Sequence, residues 1–312
     1  MLGTGVFAVV YGAYDPVLGI EVAVKVLSAE HASDPETAAR FTAEARKLQS
    51  LSDERVVTVH DIGEFEGRPY LAMERIDGGT LADRLSDDRT LAPDDVDWLI
   101  DGLGAAIVVV HAAGHVHRGI TPGNVLIRRT AHGDQLVLAD FGIGDVVDQR
   151  RRATASSGAD GFIAPEQRRA GLVVDGRADV HAASAVVGRA TFGDDWRRIM
   201  VPHGPHGVTA LEPPGTEPLA FELRRGLAID PRERHASISE WTQALQAAAS
   251  EHAAVIASGE DARPRRGPVV RLVAGALVVL AMVLAAATIS GTSDSNEDRP
   301  PITSPDGGAP GN

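Results

Sequence analysis

The sequence has no cysteine, which excludes disulfides and thiolate metal sites and leaves the fold to stand on its apolar core. Lysine is almost as scarce: Lys25 and Lys47 are the two lysines, and every other basic side chain apart from histidine is arginine. Positive charge is also in deficit, with 30 Lys and Arg against 43 Asp and Glu and a formal net charge of −13. Such a surface repels a phosphate backbone, so no nucleic-acid partner is expected. A basic, apolar leader is lacking as well, since the chain opens Met1, Leu2, Gly3, Thr4, Gly5. The N-terminal part is therefore expected to start in the cytoplasm. What is present is 44% hydrophobic content, ample for a packed core in one large or two ordinary domains.

From Leu272 to Ile289 no residue carries a charge, and with the flanking Val269 and Val270 the run predicts a single transmembrane helix over 269–289. Arg263, Arg265, Arg266 and Arg271 precede or open it, whereas Asp294, Glu297, Asp298 and Asp306 follow it. By the positive-inside rule, residues 1–268 lie in the cytoplasm of a single-pass protein of the cell membrane. Within that part, 247–268 reads as a juxtamembrane linker. The tail 290–312 is short, polar and rich in Pro, Gly, Ser and Asp, and is expected to be disordered outside the cell.

The cytoplasmic part is strand-rich first and helix-rich afterwards. Val22-Ala23-Val24-Lys25-Val26-Leu27 reads as a buried strand interrupted by one lysine. Asp34 as N-cap and Pro35 at the first helical position open a helix that places Phe41, Ala45, Leu48 and Leu51 on one stripe. Glu44 falls on that stripe too, and a Lys25–Glu44 ion pair between strand and helix would give each charge a partner. Pro93, then Val96, Leu99, Ile100, Leu103, Ile107 and Val110, with Gly114 as the stop, mark a second long helix. Short strands at Val125–Ile127 and Leu136–Leu138 follow, joined by a turn holding His132, Gly133 and Asp134.

Gly3-Thr4-Gly5 with Ala8 in a third glycine position is weak evidence by itself. It is followed in order by Val22-Ala23-Val24-Lys25, Glu44, His117-Arg118, Asn124, Asp140-Phe141-Gly142 and Ala164-Pro165-Glu166. That series resembles the protein-kinase signature set. Over residues 1–246 the chain is similar to bacterial transmembrane serine/threonine protein kinases of actinobacterial type. The resemblance implies an α+β, two-lobed kinase fold, with a strand-rich N-lobe over about 1–75 and a helical C-lobe over about 76–246, followed here by the C-terminal transmembrane helix. Asp179 and Arg234 also sit where the family keeps an aspartate and an arginine, and the family's arginine pairs with the glutamate that is Glu166 here.

The resemblance implies ATP and Mg2+ as cofactors. Leu2, Val10 and Ala23 would sandwich adenine, amides from Gly3 and Gly5 to Ala8 would cover the phosphates, and Lys25, oriented by Glu44, would contact the α- and β-phosphates. Asn124 and Asp140 would hold magnesium. The catalytic loop departs from the family: Gly119 stands at the catalytic aspartate and Thr121 at the phosphate-contacting lysine, while Ala159 replaces the threonine that braces both. Loss of the base alone is expected to cost on the order of 10²–10⁴ in rate. The stretch between Asp179 and Arg234 is short for the family. Three readings follow: a nucleotide-binding pseudokinase that signals through protein partners such as an active kinase or its substrates, an impaired but active kinase, and a kinase-fold binding module without nucleotide. Thr154, Ser156 and Ser157, beside Arg150, Arg151 and Arg152, read as a solvated activation segment.

Overall fold

Alternating apolar residues build an antiparallel sheet at the start of the chain, seen in a computed structural model that describes residues 1–5, 7–140, 161–169, 171–197 and 217–261. Its strands are β1 (Gly3–Thr4), β2 (Ala8–Asp15), β3 (Ile20–Leu27), β4 (Val59–Phe65) and β5 (Arg68–Glu74), in the order β1-β2-β3-β5-β4. Phe65 pairs with Arg68, so β4 and β5 are joined by two residues, Glu66 and Gly67, at φ 50° and 74°. Positive φ at both positions matches the twist of the strands they connect. After the short helix α1 (Ala29–Ala32), helix α2 (Pro35–Gln49) begins as the sequence predicts. The Asp34 carboxylate accepts from the Glu36 amide at 3.3 Å and from the Thr37 hydroxyl at 2.6 Å. Phe41, Ala45 and Leu48 on α2 and Leu27 and Leu71 on the sheet are fully buried, so α2 is held by its apolar stripe.

The large lobe starts with the one-turn helix α3 (Leu81–Arg84) and the long α4 (Pro93–Ala112). Val96, Leu99, Ile100, Leu103, Ile107 and Val110 are all buried, and Gly114 at φ 77° terminates the helix as expected. Strands β6 (Val125–Thr130) and β7 (Gly133–Leu138) form a hairpin. Both are longer than the sequence reading, and Gly133 and Asp134 lie in β7 rather than in the turn. The reason is that their outer ends, Arg128, Arg129, Asp134 and Gln135, are polar, where an apolar pattern gives no signal; the Arg128 guanidinium donates to the Gln135 carboxamide oxygen at 3.1 Å across the hairpin.

Helix α5 (Arg177–Phe192) is buried on nearly every side, its small and apolar residues in the core together with the polar Asp179, His181 and Ser184. It packs with α4 and with α6 (Glu217–Gly226), and α7 (Ile238–Asp261) closes the lobe. The Trp241 indole, fully buried, donates to the Ser184 hydroxyl at 2.9 Å. The Glu166–Arg234 pair expected from the resemblance is present: two parallel bonds of 2.6 and 2.8 Å join the buried side chains. Arg234 also donates to the Arg177 and Ala228 carbonyls, so both charges are satisfied. Ala248 and Ala249 remain in the core and α7 runs on to Asp261, past the boundary at 246 and into the linker read over 247–268. The alanine-rich composition does not change there, so the sequence gives no break. The span 269–289 and the tail 290–312 lie outside the described residues; among the described residues no helix is long and apolar enough to cross a membrane.

His181, on α5, is buried beside Arg234 and Arg168, and burial followed by these two cations pushes it down to about 3. The unfolded chain takes up that proton near pH 6.5 while the folded chain does not, so stability is full above pH 6.5 and falls toward pH 3. The loss is about 2 kcal/mol between pH 6.5 and 5. Urea unfolding at pH 7.5 and 5 should show the drop, and His181→Leu should flatten it. An equally steep profile in the variant would contradict the assignment.

Candidate functional site

Cross-strand partners share a face of the sheet. Val10 opposes Lys25, Gly12 opposes Ala23, and on the other side of β3 Ala23 opposes Met73 and Lys25 opposes Leu71. A Cβ on Gly12 would lie 3.6 Å from the Leu2 side chain, which places Leu2 on this same face. The predicted adenine positions Leu2, Val10 and Ala23 therefore come together, joined by Met73, which the sequence reading missed. The alternation of buried Pro69, Leu71 and Met73 in β5 was the signal that pointed to it. At the glycine turn the Gly5 amide donates to the Ala8 carbonyl at 2.9 Å, and Gly3 pairs with Val10.

The expected Lys25–Glu44 pair is not formed. Lys25 Nζ lies 2.8 Å from Asp140 Oδ2, and Glu44 is paired one helical turn along with Lys47 at 2.7 Å. The physical reason is supply: Asp140 is the anion that lines the cleft beside Lys25, and Glu44 has its own cation at i+3. The second Asp140 oxygen is buried and has no hydrogen-bond partner among the described residues, and the Asp140 backbone has φ 58°. A non-glycine residue held there is a sparsely populated state, of the kind concentrated at functional sites.

The catalytic loop is built on Asp179, which has no exposed surface. Its carboxylate accepts the backbone amides of His117 and Arg118 at 2.8 Å each, and His111 Nε2 lies at 2.8 Å. Arg118 takes φ 63°, and the Gln167 amide donates to its carbonyl at 3.0 Å. Burial lowers the pKa of His117, against the pull of the Asp179, Asp140 and Glu44 carboxylates and the Ala139 backbone. The Gly119 amide donates to His117 Nδ1 at 3.2 Å, and its carbonyl accepts from Asn124 Nδ2 at 2.7 Å. Gly119 thus contributes main chain only. One Asn124 side-chain N–H is thereby engaged within the loop. The Ala139 amide bonds the Asn124 carbonyl at 2.9 Å and so sets Asn124 beside Asp140.

The unpartnered Asp140 oxygen and the Asn124 carboxamide oxygen fit magnesium, which takes few protein ligands and completes its shell with phosphates and water. Among the described residues no cluster of three or more His, Asp or Glu would hold a metal unaided. Phe141, Gly142, Arg150, Arg151, Arg152, Thr154, Ser156, Ser157 and Ala159 lie outside the described residues.

A brace behind the cleft was not legible in the sequence. Arg128 donates to both Glu74 carboxylate oxygens at 2.8 and 2.7 Å and to the Glu54 carbonyl at 2.7 Å, tying the end of β5 to β6. The partners are 54 and 74 residues away, and no local pattern marks them.

The family profile described as "Protein kinase domain" matches residues 1–195. Serine/threonine-protein kinase Pkn1 of Myxococcus xanthus is 34% identical over 276 residues, covering 84% of this chain and 39% of the relative. Serine/threonine-protein kinase PknE of Mycobacterium bovis is 32% identical over 84% of this chain and 46% of the relative. The chain thus spans less than half the length of these curated relatives. Among solved structures, the Mycobacterium tuberculosis PknI kinase domain is similar with a TM-score of 0.61 and 29% identity, over 80% of this chain and 94% of that one.

Removing the Asp179 carboxylate strands two buried amides and the His111 ring. Asp179→Ala is expected to cost about 3 kcal/mol or more of unfolding free energy. Asp179→Asn keeps one acceptor and should lose less; urea denaturation of both variants measures the difference, and equal, sub-kcal losses would refute the scaffold role.

Proposed function

The chain belongs to the serine/threonine protein kinase family, and from that premise we propose that it is a membrane-anchored pseudokinase that binds ATP with Mg2+ and signals through partner proteins. The observation that carries this reading is Gly119: at the position of the family's catalytic aspartate only an amide and a carbonyl are offered, and both are engaged within the loop. Main chain in that state neither orients a substrate hydroxyl nor takes its proton. Thr121 likewise supplies no positive charge to a transferring phosphoryl group.

The nucleotide side of the cleft is furnished in contrast. Leu2, Val10, Ala23 and Met73 share the apolar face that would hold the base. Lys25 would contact phosphates, and Asn124 with Asp140 would hold magnesium, which supplies neutralisation of the triphosphate charge. Membrane attachment rests on the charge-free run within 269–289 and its arginine-rich cytoplasmic flank. Partner proteins would read the kinase fold as a surface, and an active kinase or its substrates are the natural candidates.

The second reading, a weak kinase, draws on the same intact Lys25, Asn124 and Asp140. Phosphoryl transfer through a loose transition state is mostly positioning and electrostatics, so a site without a base retains part of the machinery.

Purified full-length protein in detergent decides among these. Mg2+·ATP is expected to raise the melting temperature without measurable phosphate transfer, and Gly119→Asp with Thr121→Lys is expected to gain transfer by a factor on the order of 10² or more. Transfer by the native chain that Asp140→Ala abolishes would establish the weak kinase. Absence of any nucleotide-induced stabilisation would establish a binding module.

A further inference from the structure

Helix α1 is a single turn whose buried residue is a histidine. His31 stands where so short an element needs an apolar anchor, and its imidazole is only half satisfied. Nδ1 lies 2.7 Å from the Ser28 hydroxyl, whereas Nε2 is buried and has no hydrogen-bond partner among the described residues. A buried nitrogen in that state lowers stability, and a leucine in its place would not. Packing of α1 by itself therefore does not account for the imidazole. What the ring touches is Phe7: the two ring centroids are 4.9 Å apart and the planes stand at 79°, edge to face. Phe7 lies in the glycine turn, one residue beyond the pairing of Ala8 with Leu27 that ends the β2–β3 ladder. Its carbonyl accepts the Ser28 amide at 2.8 Å, and the Ser28 carbonyl accepts the His31 amide at 3.1 Å. Ser28 thus joins the backbone of the turn to that of α1, and its hydroxyl, which does not cap the helix, engages the imidazole instead.

We propose that His31 is a positioning residue for nucleotide: anchored by Ser28, its ring clasps Phe7 and so holds the glycine turn in the place from which the turn's amides would cover the phosphates. The inference rests on the nucleotide-binding reading above. The clasp acts on the turn and not on the base-facing residues. Val10 and Ala23 belong to the strand ladder, whose backbone pairing fixes them without His31. The bond from the Gly5 amide to the Ala8 carbonyl closes the turn on itself and does not tie it to the rest of the lobe. Phe7, partly buried against the core, supplies a side-chain fastening beyond the ladder. An aromatic pair of this kind shifts an equilibrium by a factor of about two to ten, so His31 tunes phosphate affinity rather than deciding whether the fold forms.

Two ligands that differ only in phosphate separate a clasp on the turn from a general structural role. Full-length protein in detergent is titrated by calorimetry with a non-hydrolysable ATP analogue plus Mg2+, and with adenosine. His31→Ala is expected to weaken the analogue by a factor of about two to ten and to leave adenosine unchanged. His31→Leu fills the site and removes the unpaired nitrogen, so it should be at least as stable in urea as the native chain and still weaken the analogue. Without any ligand, amide hydrogen exchange over residues 3–10 should speed up in both variants, because the turn opens more often. Equal losses for the two ligands, or a His31→Leu chain that binds the analogue as the native one does, would overturn the clasp and leave nucleotide binding standing. Unchanged exchange over residues 3–10 would do the same. A native chain that binds neither ligand would overturn both the clasp and the reading it rests on.

Discussion

Asp179, a carboxylate sealed inside the large lobe, accepts the His117 and Arg118 amides at 2.8 Å each, and the catalytic loop inherits its path from those bonds. The positive φ of Arg118 aims the next residue back across His117, and Gly119 closes on the His117 ring and on Asn124. Asn124 in turn is bonded to the residue before Asp140. The order of dependence therefore runs from a buried helix to the loop and then to the two oxygen donors of the cleft. None of those steps uses a side chain at position 119. The path of the loop is therefore fixed without a carboxylate at position 119.

The same logic shows what a reader of the sequence could and could not see. The starts of α2 and α4 were legible because Asp34, Pro35 and Pro93 are local signals followed by apolar residues at helical spacing. The grouping of Leu2, Val10, Ala23 and Lys25 was legible from motif order and follows from strand register. The partner of Lys25 was not. Two carboxylates competed for it, and the winner depends on distances across the cleft and on Lys47, a residue whose sequence position alone suggests an ordinary exposed side chain. The Arg128 brace was hidden for a similar reason, since Glu74 and the Glu54 carbonyl lie 54 and 74 residues away along the chain and no local pattern links them to Arg128. The polar ends of β6 and β7 were missed because a ladder of backbone bonds leaves no trace in side-chain polarity.

Electrostatically, the departures from the family at 119 and 121 cancel. Replacing an aspartate by Gly119 and a lysine by Thr121 removes one charge of each sign, so the cleft that remains is governed by Lys25 and Asp140, which already neutralise each other.

The strap between the lobes is short in a particular way. Glu74 is the last residue of β5 paired to β3, and Gly78 already donates to the Ile127 carbonyl at 2.9 Å, while Ile127 returns a bond to Gly79 at 3.0 Å. A Cβ on Gly78 would sit 2.2 Å from that carbonyl, so the backbones meet there only because the residue is glycine. On the other edge the Val57 amide bonds the Leu138 carbonyl at 3.0 Å and Leu138 bonds Arg55 at 2.8 Å. The binding of this book is glued to its lower cover: only Arg75, Ile76 and Asp77 lie between the two fastenings. Relative motion of the lobes is thereby confined to rotation about a three-residue spine, and sliding of one lobe along the other would have to tear hydrogen bonds at both edges.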